Sequence, residues 1–210
     1  MSSEPPTNAV LASVRAATRP LHAQLERHME GRRLLGAFDR HHYARFLMSH
    51  EHLHRMVARL TTQHVPAGRL DLLDWPECER LSALMSDLRA LGAWRSRPAN
   101  RASEPAFARV FATVHADPSP AFAVGMAYVA EGSFRGNRQI LAALDGQPGF
   151  AKLGARTFLE RSAARAEARW PAMLSALECY GTSDPAIVRR GAVAGFLYYR
   201  SVWDGLATIA

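Results

Sequence analysis

PAFAVGMAYVAEGSFRGNRQIL, residues 120–141, reads as one helix carrying three glycines, Gly125, Gly132 and Gly136. A glycine inside a helix costs roughly 1 kcal/mol relative to alanine, so three in one helix need compensation. Two kinds exist. A neighbouring helix can approach where no Cβ stands, or bare backbone can come down on a flat ligand. Gly132 and Gly136, at i and i+4, expose backbone on one face, and Ser133 and Asn137, also at i and i+4, could hold ordered water beside that opening.

Around this stretch the periodicity is helical nearly everywhere. Leu11, Val14, Thr18, Leu21, His22, Leu25 and Met29 form one i, i+3, i+4, i+7 stripe, and Tyr43, Phe46, Leu47, His50, Leu53, His54, Val57 and Leu60 form another. Further stripes run through Leu81, Leu84, Met85, Leu88 and Leu91, through Phe107, Val110, Phe111 and Val114, and through Trp170, Met173, Leu174 and Leu177. The last runs from Val188 to Leu206 and is introduced by Ser183-Asp184-Pro185, a helix cap followed by proline at the first helical position. Asp145-Gly146 fits a helix-helix turn, and no run alternates like a strand. The expected fold is all-α, one domain over residues 1–210 with a flexible lead-in at 1–8.

Composition bounds the function. With 48% hydrophobic residues the chain can bury a sizeable core. MSSEPPTNAV has neither the charged start nor the apolar run of a secretory signal, and no stretch approaches a membrane span, so a cytoplasmic protein without membrane contact is expected. Cys78 and Cys179 have no C-x-x-C partner and suggest neither a disulfide framework nor a cysteine zinc site; both are expected to pack as small apolar residues. The net charge of +7 comes almost wholly from arginine and favours anionic partners. It is spread along the chain without zinc-finger spacing or an aromatic-basic box, which argues against nucleic acid and for a small anionic ligand or an acidic protein.

His50-Glu51-His52-Leu53-His54 is a literal H-E-x-x-H, the pattern with which zinc proteases hold their metal and general base. Here His50 and His54 fall on the apolar stripe, and Glu51 lies about 100° round the helix from His50. No downstream helix marks a third ligand. The expectation is two core histidines satisfied by their neighbours, buried and without metal.

VRAATRPLHAQLERH, residues 14–28, places a histidine better. His22 lies on the stripe of the first helix, with Glu26 one turn later to accept its second ring N–H and Arg15 two turns earlier, about 10 Å back along the same face. Pro20 adds a local kink by crowding the carbonyl of Ala16. One imidazole, one supporting carboxylate and one cation in line suit a large, flat, acidic, metal-bearing ligand such as haem. Taken alone, a stripe histidine is more often a satisfied core residue.

Together, ATRPLHAQLE (17–26) and YVAEGSFRGNRQIL (128–141) resemble the proximal and distal helix motifs of the haem oxygenase family, the second in its bacterial form. The aromatic segment 43–60, RWPAMLSALE around Trp170 and GAVAGFLYYRSVW near the end agree in order, so the resemblance spans about residues 11 to 204. Two departures fall in the distal motif: Asn137, where many members have glycine, and Arg135, where a small or apolar residue is usual.

The resemblance implies haem held between a proximal and a kinked distal helix. His22 would be the iron ligand, supported by Glu26, with Arg15 near the propionates. Gly132, Gly136, Ser133 and Asn137 would line the catalytic distal side. Haem would be both cofactor and substrate, cleaved with dioxygen to biliverdin, carbon monoxide and ferrous iron. Electrons would come from an external ferredoxin or flavoprotein reductase, since no Gly-rich dinucleotide loop is visible and the basic surface suits an acidic donor. The competing readings are a haem carrier or sensor on the same fold, and a related helical protein that binds another small molecule.

Overall fold

The computed structural model describes residues 9–28, 38–66, 77–93, 109–110, 112–113 and 119–206. Its named helices are α1 (Ala9–His28), α2 (Arg40–His64), α3 (Glu77–Ala90), α4 (Pro120–Asp145), α5 (Pro148–Ala151), α6 (Thr157–Gly181) and α7 (Pro185–Leu206). Among the described residues there is no strand, and no helix is long and apolar enough to cross a membrane. The fold is all-α, as the periodicity predicts.

Local chemistry sets the helix ends. Asp39 starts α2 by accepting hydrogen bonds from the backbone N–H groups of His41 and His42, and the His42 bond is the main reason its carboxyl titrates below the usual range. Ser119 caps α4 ahead of Pro120, and Asp184 caps α7 by accepting from Ile187 N at 3.1 Å. The start of α6 is capped from a distance: the Asp87 carboxylate on α3 accepts from Thr157 N at 3.1 Å and Phe158 N at 2.8 Å, placing negative charge at a helix N-terminus. At Gly146 the chain leaves α4 for α5, the turn expected at Asp145-Gly146. Through Pro20, α1 continues unbroken.

Each apolar stripe finds a neighbour. All eight residues of the Tyr43–Leu60 stripe are buried, as are Val188, Ala192, Gly195, Phe196, Tyr199, Trp203 and Leu206 of α7. The middle of the molecule is α4, which packs on α6, α7 and α2, while α1 lies on α7 and α6. Between α4 and α7 the two backbones almost touch. A Cβ on Gly125 would run into the carbonyl oxygen of Val188 and stand 2.9 Å from Ala192 N, and one on Gly191 would strike the carbonyl of Phe122. Gly125 is therefore a close-packing glycine.

A buried ionic cluster fixes α4 to its other neighbours. Glu131, 3% exposed, accepts from Arg80 Nη2 of α3 at 2.8 Å and from Arg169 of α6 at 2.9 Å (Nη2) and 3.1 Å (Nε). The Arg80 guanidinium also lies 4.7 Å over the Phe134 ring. Three helices are thus tied at the residue immediately before Gly132.

Some expectations need correction or fall elsewhere. Cys179 is exposed on α6, because the apolar stripe of that helix passes through Met173 and Leu177 and leaves position 179 on the outer face. The Cys78 side chain, residues 1–8, Met29, Phe107, Phe111 and Val114 lie outside the described residues.

Candidate functional site

Helices α1, α2, α4, α6 and α7 enclose a cavity of about 670 Å³, within the roughly 300–1,000 Å³ of small-molecule sites. From α1 it receives Arg15, His22 and Glu26; from α4, Tyr128, Gly132, Ser133, Arg135, Gly136 and Asn137; Trp170 comes from α6. Its apolar floor includes Phe46, Leu53 and Phe196. Every residue singled out in the sequence as a binding or catalytic candidate reaches this one space.

His22 differs from its expected burial. Val14, Thr18 and Leu25 of its stripe are buried, but the His22 side chain is 60% exposed, because at this turn α1 borders the open cavity instead of another helix. The ring stands edge-on to Phe196, centroids 5.9 Å apart, and Nδ1 lies 3.2 Å from Glu26 Oε1. An exposed pair of this kind adds little stability, and its consequence is orientation. With Nδ1–H donated to the carboxylate, the basic lone pair is on Nε2, the tautomer that a metal-ligating imidazole needs.

On α4 the glycines divide by what surrounds them. A Cβ on Gly132 or on Gly136 would meet nothing within 4 Å, in contrast to the collisions at Gly125. The first two face open cavity and the third faces a helix, so both explanations of the glycine-rich stretch operate in one helix, seven residues apart. Ser133 Oγ donates to Ala130 O at 2.6 Å, a bond back to its own helix that leaves only its oxygen lone pairs for the cavity. Asn137 is 1% exposed and lines the cavity, with no hydrogen-bond partner for Nδ2. Arg135 is held over the Trp170 ring at 5.6 Å and 3.8 Å from Glu167, so its stem, more than its charge, borders the space.

His50 and His54 are buried, as expected from the stripe, and their rings stack at a centroid distance of 5.9 Å. Instead of being satisfied by hydrogen bonds, His50 is held by aromatic edges: Phe46 at 4.4 Å, Tyr199 at 5.1 Å and Phe158 at 5.2 Å, with Nδ1 unbonded. Glu51, the general base of a zinc protease, is engaged by Arg55. Among the described residues no group of three or more His, Cys, Asp or Glu side chains could hold a metal ion.

Burial lowers the His50 pKa to about 3, so the ring is neutral in the fold and protonates in the unfolded chain near its ordinary 6.5. Between those values the unfolded state binds the extra proton. Stability from this group is present above pH 6.5 and is lost as pH falls, by up to about 1.4 kcal/mol per unit. His50→Phe is expected to flatten the pH dependence of the thermal midpoint between pH 6.5 and 4.5; an unchanged slope would show that other groups govern acid unfolding.

In the sequence His50 is marked as core alone, and Tyr128, Trp170 and Phe196 carry no site role. His50 is core on one side and cavity floor on the other. Tyr128 was detectable: it lies four residues before Gly132, on the same helical face.

Compared with known families, residues 8–204 match the family model described as Heme oxygenase. No curated protein and no solved structure gives a match.

Proposed function

The chain belongs to the haem oxygenase family, whose members degrade haem, and from that premise we propose that it is a cytoplasmic enzyme of the bacterial type. It converts haem to biliverdin, carbon monoxide and ferrous iron, with dioxygen and electrons from an external ferredoxin or flavoprotein reductase. The observation that carries this reading is the pairing of two walls of one cavity: His22 oriented by Glu26 on α1, and Gly132 and Gly136 bare to open space on α4.

The residues fit the ligand chemically. His22 Nε2 would hold the haem iron as a neutral imidazole, a ligand with less electron push than a thiolate. Arg15 offers a cation for a propionate, the phenyl ring of Phe46 and the indole of Trp170 suit a flat macrocycle, and the uncovered backbone at Gly132 and Gly136 leaves room above it for a small molecule. Haem supplies the iron at which dioxygen is activated. The chain's own work is to hold that ring, keep bulk solvent from it and anchor ordered water through the Ser133 lone pairs and the Asn137 amide. The surplus of arginine gives an acidic electron donor a surface of opposite charge.

The test is to add haemin to purified protein, then ascorbate or a reductase under air, and follow the spectrum. Conversion to biliverdin is expected. Gly136→Ala is expected to bind haem with the same ligation and, because the methyl enters the distal space, to slow or misdirect conversion. If wild type and variant both bind haem tightly and neither yields biliverdin, the protein is a carrier. Glu26→Gln is expected to weaken haem binding without abolishing it, with a shifted iron–imidazole stretch as the readout.

A further inference from the structure

Among the described residues, two cavity-lining side chains are left buried with an unbonded polar atom, His50 and Asn137, and of these Asn137 lies on α4 beside the glycine opening. It is 1% exposed, one residue past Gly136 and one turn past Ser133, and its Nδ2 has no hydrogen-bond partner. A buried amide without a partner costs about 1–3 kcal/mol, and such a group in a folded protein calls for an explanation. The neighbouring groups do not supply one. The Ser133 hydroxyl hydrogen is committed to Ala130 O and its remaining lone pairs make no bond to Nδ2, while a Cβ on Gly132 or Gly136 would meet only open space. A –NH2 offers only hydrogens, so what completes it must be an acceptor.

Resting on the haem-degrading reading above, we propose that Asn137 Nδ2 is a hydrogen-bond donor to the small anionic ligand on the iron's distal side, and so sets the cavity's preference for acceptor ligands. The Gly132–Gly136 opening provides the room and Asn137 the polarity. Its donor lies within low-dielectric surroundings, where a hydrogen bond to a charged acceptor is stronger than one to a neutral acceptor. Arg135, the neighbouring cation of the cavity, is already directed to Trp170 and Glu167, so the neutral amide is the better placed distal donor.

The experiment compares ferric haem-loaded wild type with Asn137→Leu, similar in volume without a donor, and Asn137→Asp, similar in shape with an acceptor. Titration with fluoride and with azide is expected to give dissociation constants about tenfold weaker in Asn137→Leu, equivalent to about 1.4 kcal/mol, and weaker still in Asn137→Asp. Carbon monoxide on the ferrous protein, a poor acceptor, is expected to bind all three alike. Without haem, Asn137→Leu is expected to melt at or above the wild-type temperature, because it removes an unsatisfied group. Equal fluoride and azide affinities in haem-loaded wild type and Asn137→Leu, or a clearly lower melting temperature of the haem-free variant, would overturn the inference while leaving the haem-degrading reading intact. Failure of wild type to take up haemin would overturn both.

Discussion

His22→Ala is expected to abolish imidazole-ligated haem binding and bile-pigment formation while leaving the fold unchanged. The side chain is 60% exposed to the cavity and contributes one edge contact to Phe196 and one exposed pair with Glu26, so its removal leaves no packed void and no orphaned charge. Its loss removes the only histidine that α1 presents to the cavity. The optical spectrum of the haemin complex reads ligation, circular dichroism and thermal melting read the fold, and added imidazole should restore part of the missing ligation. The control is His50→Ala. This change is expected to destabilise by a few kcal/mol, because it empties a site packed among Phe46, Phe158 and Tyr199, yet to preserve imidazole ligation in whatever protein remains folded. If the His22 variant kept the imidazole spectrum and the His50 variant lost it, the proximal assignment would be wrong.

The largest effect on stability is expected at Glu131. Glu131→Gln leaves Arg80 and Arg169, each under 10% exposed, facing one another across a neutral amide, and a buried charge deprived of its partner costs about 3–5 kcal/mol. Urea denaturation should show a midpoint far below wild type with little change in slope. Replacing all three residues together by apolar side chains of similar volume is expected to recover much of the loss, since the penalty lies in the uncompensated charge. A single-variant loss under about 1 kcal/mol would mean that water reaches the cluster. The same residue holds α4 beside Gly132, so at temperatures where the variant is folded, haem conversion is expected to be less uniform in product.

The sequence by itself determined the helices, because burial along a helix repeats every three to four residues and the stripes of α2 and α7 carry that repeat without interruption. It also determined the caps at Asp184 and Gly146 and the His22–Glu26 pair, all of which join residues within four positions of one another. The motif pairing of residues 17–26 with 128–141 is by itself enough to bring the family within reach. What joins distant positions was decided only by the tertiary structure. In the sequence Gly125, Gly132 and Gly136 are three equal costs to one helix; only the approach of Val188 to the first, and of nothing to the other two, separates packing from cavity. His22 looked buried because a stripe records which face turns inward, not whether a neighbour or an open space awaits it. Glu131 gave no signal at all, since its two arginines stand 51 and 38 residues away and a charge is recognisable as buried only when the partners that compensate it are in place.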